Sequence, residues 1–487
     1  MNFLELVFKQ MRQRSLSTWL TLLSVMLGVA LAVAILLFLR EAPKVLAQGD
    51  FGYDLVIGHK GSGLQLVLNT VYHRDVSLGN LPWSVFEELV RDRPLVDWAL
   101  PYAVGDTYKG YRIVGTLPTV LPIDHEGRPL TEMLDPLGRP MRTADGRPIP
   151  ARAFAYRFGR TLELAEGRAF HPRKFEAVIG SDVARQAGLK LGSTFIAEHG
   201  TGDEKGHEHE ETWTVVGILK PTRTAIDRVL YIPILTFWAI PTHEEHLQEA
   251  AKLLSPTEPH EEQHEHDHAH WPATTQAHEH VHDEHCQRAY HRNADGTIDL
   301  RATPDKWQVS AVLVRSRGAW HMATLMYRIN NMPVAMAVNP AGVMRDFFST
   351  FLKPSSQLLL VVSVLVSLVA AVSILVSIYN SVTARRREIA IIRALGATRQ
   401  RVLALICVEA ALVGLIGGLA GMVLGHLVAG GASAYLQWLL GQGMRWFATG
   451  WMEWLYLAGV VALSALAGLV PALKAYQTPV ATNLAAT

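Results

Sequence analysis

Histidine is where this chain concentrates its chemistry. Of its 21 histidines, two alternating runs stand out: His264, His266, His268 and His270, then His278, His280, His282 and His285, the last followed by Cys286. Imidazole, thiolate and the interleaved carboxylates are ligands for zinc, nickel or copper. Alternation permits many ligand combinations and preorganises none. Pro256, Pro259 and Pro272 and the biased composition predict a disordered loop over 257–291. Several sites of modest affinity are expected there, for zinc or another transition metal; a solvated loop that is merely rich in histidine is the plain alternative. His260-Glu261-Glu-Gln-His264 spells H-E-x-x-H, but that motif needs a helix placing both histidines on one face, and here it follows a proline in low-complexity sequence.

Other chemical patterns are weak. The chain contains no G-x-x-x-x-G-K-[ST]. Gly58-His-Lys-Gly-Ser-Gly63 lacks the order of a phosphate loop and reads as a flexible turn. No Ser/His/Asp nucleophile set stands out, so no catalytic residue is expected. The stretch Asn380 to Arg399 is more informative. It predicts a short basic helix with Ile389, Ile392 and Leu395 on one side, ended by Gly396. Orientation in a membrane needs basic residues but no such structured face, so this helix could dock a cytoplasmic partner.

The elements that must position these groups follow from hydropathy. Hydrophobic residues make up 49% of the 487 and charged residues 18%, with mean hydropathy +0.15. That balance predicts membrane helices joined to soluble structure, and a net charge of +1 gives no reason to expect nucleic acid as a partner. Crossing the hydrocarbon core takes about 20 apolar residues. Four stretches qualify: 16–39, 356–379, 402–428 and 451–473. The first is too long for the core of a signal peptide and is expected to stay as an anchor. Glu409 and Glu453 lie near the starts of the third and fourth stretches and His426 near the end of the third; solvation at helix ends is the expected reading. Lys9, Arg12 and Arg14 precede the first stretch, and six arginines from Arg385 to Arg401 fill the loop 380–401. The loop 429–450 has only Arg445. Lysine and arginine mark the cytoplasmic side, which puts residues 1–15, 380–401 and 474–487 inside and 40–355 and 429–450 outside. Gly414, Gly417, Gly418, Gly421 and Gly425 have small-xxx-small spacing and predict a close helix neighbour, either within the chain or in a dimer partner.

The outer segment reads as α+β. Strands are expected near 54–57, 96–117, 176–180, 213–219, 228–233, 308–314 and 334–338, with helices at 82–91, 181–187 and 320–329. A turn is expected near Gly105 and at Lys109-Gly110. Both ends of the segment should make one α+β subdomain, with a β-rich one inserted between. Residues 118–150 read as a loop-rich insertion. Cys286 and Cys407 lie in different settings, so no disulfide framework is expected.

Arg387-Glu388-Ile389-Ala390 followed by Arg393-Ala394-Leu395-Gly396-Ala397 resembles the signature of FtsX-like ABC transporter permeases of the macrolide-exporter and lipoprotein-release type. Pro471 to Ala475 with Pro479 is similar to that family's ending. Leu164 to Phe170, Val178 to Gly180 and Val215 to Ile218 are similar to its MacB-like periplasmic core domain. The His tract and the insertion at 118–150 depart from the common pattern.

The resemblance implies a multi-pass protein of the bacterial inner membrane with its large domain in the periplasm. It implies a dimer, homodimeric or paralogous, with a separate cytoplasmic ABC ATPase that binds ATP and Mg. The helix 383–397 would couple the two, and the present chain would be a transport subunit, not an enzyme. A periplasmic adaptor or substrate protein would complete the system. The competing expectation is a membrane-anchored metal-binding receptor with no ATPase partner.

Overall fold

The structure is a computed structural model and describes residues 15–46, 51–92, 94–143, 145–200, 208–240, 289–384, 386–394, 398–440 and 443–477. They fall into two compact units, a helical one (1–49 and 344–487) and a strand-rich one (50–343). This is the membrane-helical plus α+β architecture expected from the sequence.

Among the described residues, four helices are long and apolar enough to cross a membrane. The helical unit contains α1 (Ser15–Leu46), α2 (Lys353–Ala384), the short α3 (Arg386–Ala394), α4 (Arg399–Leu440) and α5 (Trp451–Gln477). They outrun their hydropathic stretches. Helix α1 continues through Arg40 and Glu41, and α4 takes in the first part of the expected outer loop 429–450. Pro471 sits inside α5 without ending it. A π-helical turn, Phe348–Leu352, precedes α2.

Helix α2 buries mostly small and polar residues and exposes branched apolar ones. On α2, Ser356, Ser363, Ser367, Ala370 and Ala371 are buried, while Leu358, Val362, Leu365, Val369 and Val372 are exposed. A helix between a bundle and lipid shows this pattern, because lipid solvates leucine and valine while close helix approach needs small residues. Ser363 and Ser367 hydroxyls lie 3.2 and 2.9 Å from the Tyr456 hydroxyl, tying α2 to α5.

The glycine stripe on α4 is used within the chain. A Cβ built on Gly417, Gly421 or Gly425 would stand 3.0, 2.8 and 2.8 Å from the Cβ atoms of Val25, Val29 and Val33 on α1. Gly414 and Gly418 face Ser464 and Leu457 of α5. The stripe thus seats α1 on one side and α5 on the other. Val25, Val29 and Val33 are themselves core residues, which makes α1 a structural member of the bundle.

Among the described residues of the strand-rich unit, ten strands form one sheet. They are β1 (Leu55–His59), β2 (Val96–Tyr108), β3 (Tyr111–Thr116), β4 (Leu164–Gly167), β5 (Glu176–Ile179), β6 (Thr194–His199), β7 (Glu208–Leu219), β8 (Val229–Pro233), β9 (Ala311–Ser316) and β10 (Ala335–Val338). The order is β10-β1-β9-β2-β3-β8-β5-β7-β4, and β6 pairs with both β7 and β2. Strands from the two ends of the segment lie on one side of β2 and the inserted strands on the other, so β2 belongs to both expected subdomains.

Gly105 is not a turn but an interior residue of the 13-residue β2, where the pairing with β3 slips between Val104 and Thr107. The hairpin turn is Lys109-Gly110, with φ of 48° and 75°. Two consecutive positive φ values are the signature of the tight turn that suits strand twist.

The insertion is more regular than its loop-like composition suggests. Gly127, Gly138 and Gly146 each sit at φ near 80° in a turn closed by Asp124 to Arg128, Asp135 to Arg139 and Thr143 to Arg147. Met133 N–H donates to Ile149, Ile149 to Met141 and Met141 to Met133, a closed ring of three backbone bonds around buried side chains. The G-R-P triplets at 127–129, 138–140 and 146–148 are the sequence trace of this repeat.

Candidate functional site

Helix α3 follows the end of α2 by one residue and leads towards α4. Its sequence is both basic and apolar, and one side of it is covered by the helical unit. Ala390 is 3% exposed, and Ile389 packs against the core of the helical unit. Arg387 is exposed, and Ile391 is 44% exposed. The buried side is therefore centred on Ile389 and Ala390, while Ile391 and Arg387 lie open. The described helix runs over Arg386–Ala394, and residues 383–384 of the expected 383–397 belong to α2. Glu388 lies on this helix and Arg393 is half-buried in its last turn. Leu395, Gly396 and Ala397 lie outside the described residues.

At the opposite ends of α1, α4 and α5, ionisable groups meet inside the helical unit. Glu453 is 1% exposed, so the expectation of a solvated helix-end carboxylate is wrong for this residue. Its Oε1 is 3.1 Å from Nη1 of Arg40 and its Oε2 is 3.1 Å from Nε2 of His426. The His426 Nδ1 donates to the Trp446 carbonyl at 2.6 Å, and Arg40 also donates to the Ala448 carbonyl. Arg40 Nε and Lys44 reach Glu41 at 3.0 and 2.7 Å. Sequence reading missed this because Arg40 and Glu453 are 413 residues apart. Glu409 is half-buried and lines a pocket with Thr18, Thr21, Ser377 and Ser381.

The eight histidines expected to bind metal, from His264 to His285, lie outside the described residues, as do the H-E-x-x-H letters and Cys286. Three other residues come together in the strand-rich unit. Asp106 on β2 and His199 on β6 are directly paired across the strands. His209 on β7 follows the Glu208–Glu198 pair. Opposed residues of paired strands project on the same face. Asp106 Oδ1 lies 3.2 Å from His199 Nδ1 and 3.4 Å from His209 Nε2, and the three candidate ligand atoms all fall within 4.8 Å of one another. Asp106 is fully buried, the His209 side chain nearly so, and the His199 side chain is about one third exposed. The hydrogen bond that the His199 imidazole donates to Asp106 raises its pKa against the effect of burial. Arg112 is buried within electrostatic reach of the same carboxylate; burial brings its guanidinium down to about 10, and Asp106 opposes that fall. The available sequence signal was His207-Glu-His209, a second short alternation well before the tract.

The residues carrying the core-domain resemblance are structural. Arg168 makes a two-pronged pair with Glu176 at 2.7 and 2.8 Å, and the His171 N–H adds a third bond at 2.8 Å. Burial works against the Glu176 charge, yet these partners hold its carboxyl below the usual range. Gly167, at φ 81°, and Gly217 pack backbone to backbone, each where a Cβ would meet a carbonyl oxygen within 2.4 Å. Ser62 caps the helix Gly63–Thr70, so the glycine-rich 58–63 segment is a strand-to-helix turn.

Residues 360–480 match the family model described as FtsX-like permease C-terminal, and residues 18–253 match that of the MacB-like periplasmic core domain. A relative named "Uncharacterized ABC transporter permease MJ1507", from Methanocaldococcus jannaschii, is 36% identical over 125 residues. That match covers 24% of this chain and spans 30% of the relative's length. The solved periplasmic region of MacB from Actinobacillus actinomycetemcomitans aligns with 9% identity and a TM-score of 0.28, covering 62% of this chain and 94% of that one. The chain thus carries an FtsX-like permease C-terminal domain and a MacB-like periplasmic core domain, and it is similar to ABC transporter permeases.

Proposed function

We infer that the chain is the permease subunit of an ABC transporter and works with a separate cytoplasmic ATPase. The supporting observation is α3, a short helix between two membrane helices that anchors Ile389 and Ala390 in the helical unit and leaves Arg387 and Ile391 open. An exposed apolar residue beside a basic one, on a helix braced by the bundle, is suited to a groove in a partner. ATP and Mg bind the partner. Its closure pushes on α3 and through it on α2 and α4, and the movement reaches the periplasmic domain. Work is done on a periplasmic or membrane substrate for export or extraction, without passage through the bundle.

The chain resides in the bacterial inner membrane and acts as a dimer, with itself or a paralogue, and a periplasmic adaptor or substrate protein engages the outer domain. The His tract links the system to zinc or another transition metal. Zinc titration of the full chain with and without residues 257–285 tests that link: uptake should fall with the deletion, and equal stoichiometry would dismiss the tract as a binding element.

Co-purification with the ATPases of the same cell tests the main reading. A stable complex that stimulates ATP hydrolysis is expected, and Glu388→Lys should weaken it. A chain that captures no ATPase, and whose cellular role survives Glu388→Lys, would favour a metal-binding receptor instead.

A further inference from the structure

We propose that Asp106, His199 and His209 bind one divalent first-row transition-metal ion of the zinc class, through one carboxylate oxygen and two imidazole nitrogens supplied by three adjacent strands. The site is separate from the His tract and does not depend on the ATPase reading.

Distance is the first argument. A tetrahedral ion with bonds of about 2.0–2.1 Å has ligand–ligand edges of about 3.3 Å. The two oxygen–nitrogen edges here are 3.2 and 3.4 Å. Hydrogen bonds to a charged partner are tighter, about 2.7–2.9 Å for N–H to O.

Placement on the sheet points the same way. Asp106 and His199 are fixed by strand register, and Gly200 N–H donates to the Gly105 carbonyl beside them at 3.1 Å. His209 lies where the β6–β7 pairing slips, between Glu208 and Thr212. Such irregularities redirect a side chain without freeing the strand. Ligands held on sheet strands are preorganised. The partial exposure of His199 gives an ion a way in, and three protein ligands leave a fourth position for water or a substrate group. Bound there, an ion would fasten the β6–β7 hairpin to β2, the strand shared by both halves of the sheet.

The test uses the full chain in detergent, stripped with chelator, in a version lacking residues 257–285 so that the tract cannot compete. Cobalt is the probe, read by its visible absorption, followed by displacement with zinc. One equivalent per chain is expected, with the intensity of a tetrahedral nitrogen–oxygen site. His209→Ala and Asp106→Asn should abolish it or weaken it by at least about tenfold, the order by which even supporting groups alter metal affinity. Both residues are buried, so His199→Gln at the rim provides the variant least disturbing to folding, checked by near-UV circular dichroism. Uptake unchanged in His199→Gln, or no saturable uptake by the tract-deleted parent, would overturn the site.

Discussion

Arg40 and Glu453 lie 3.1 Å apart although 413 residues separate them, and the glutamate side chain is 2% exposed. This pair joins the ends of α1 and α5, with His426 of α4 at the second carboxylate oxygen. A buried charge without its partner is far costlier than the pair itself contributes. Glu453→Ala should therefore destabilise the chain by about 3 kcal/mol, and Arg40→Met with Glu453→Met should recover most of that. Thermal unfolding in detergent across the double-mutant cycle measures both. Additive losses would mean that the pair is not coupled.

The glycine stripe makes a second test. A Cβ at Gly421 would meet the Met26 carbonyl oxygen at 2.5 Å and Val29 Cβ at 2.8 Å, whereas one at Gly459 would meet nothing within 4 Å. Gly421→Val should cost about 1–3 kcal/mol by forcing α1 and α4 apart. Gly459→Ala should leave the unfolding midpoint unchanged or slightly higher. Equal effects would show that α1 does not seat on this stripe.

Stability of the strand-rich unit should depend on acidity. Burial, with His125 adjacent, brings the His171 imidazole down to about 4, and burial beside Arg112 and Arg74 brings His73 to about 3. An unfolded histidine takes its proton near pH 6.5. Between these values the unfolded chain binds more protons than the folded one, so stability rises with pH. The contribution is complete above about pH 6.5 and is lost as pH falls through the folded values. Denaturant unfolding of the full chain at pH 7.5 and 5.0 should show weaker folding at the lower pH. His171→Gln should reduce the difference; an unaltered pH slope would assign it to other groups.

The two sides of α3 should separate binding from folding. Ile391→Asp alters the open side, and its expected effect is loss of ATPase capture with an unchanged melting temperature. Ala390→Asp places a charge at a site only 3% exposed and should destabilise the chain itself. Affinity measurements with the ATPase, beside melting curves, distinguish them. Retained binding by Ile391→Asp would remove α3 as the docking element.

Four apolar stretches, their arginine asymmetry and the positions of the main outer strands were readable from the sequence because each is a local property. Hydropathy is summed over one helix, and charge bias over one loop. The basic helix was readable for the same reason, down to Arg387 and Ile389, but which of its sides is covered was not. That depends on the bundle, which buries Ala390 and leaves Ile391 out. The spacing of Gly414 to Gly425 announced a close contact, and only tertiary packing chose Val25, Val29 and Val33 of α1 to fill it.

Glu453 was misjudged for a related reason. Position along a helix tells depth, but burial is set by Arg40 and His426 arriving from other helices. The sequence also drew attention to its densest histidines. Asp106, His199 and His209 are sparse in the sequence and are brought together only by the register of three strands. Long-range pairing selects which side chains share a face, and no local pattern carries that information.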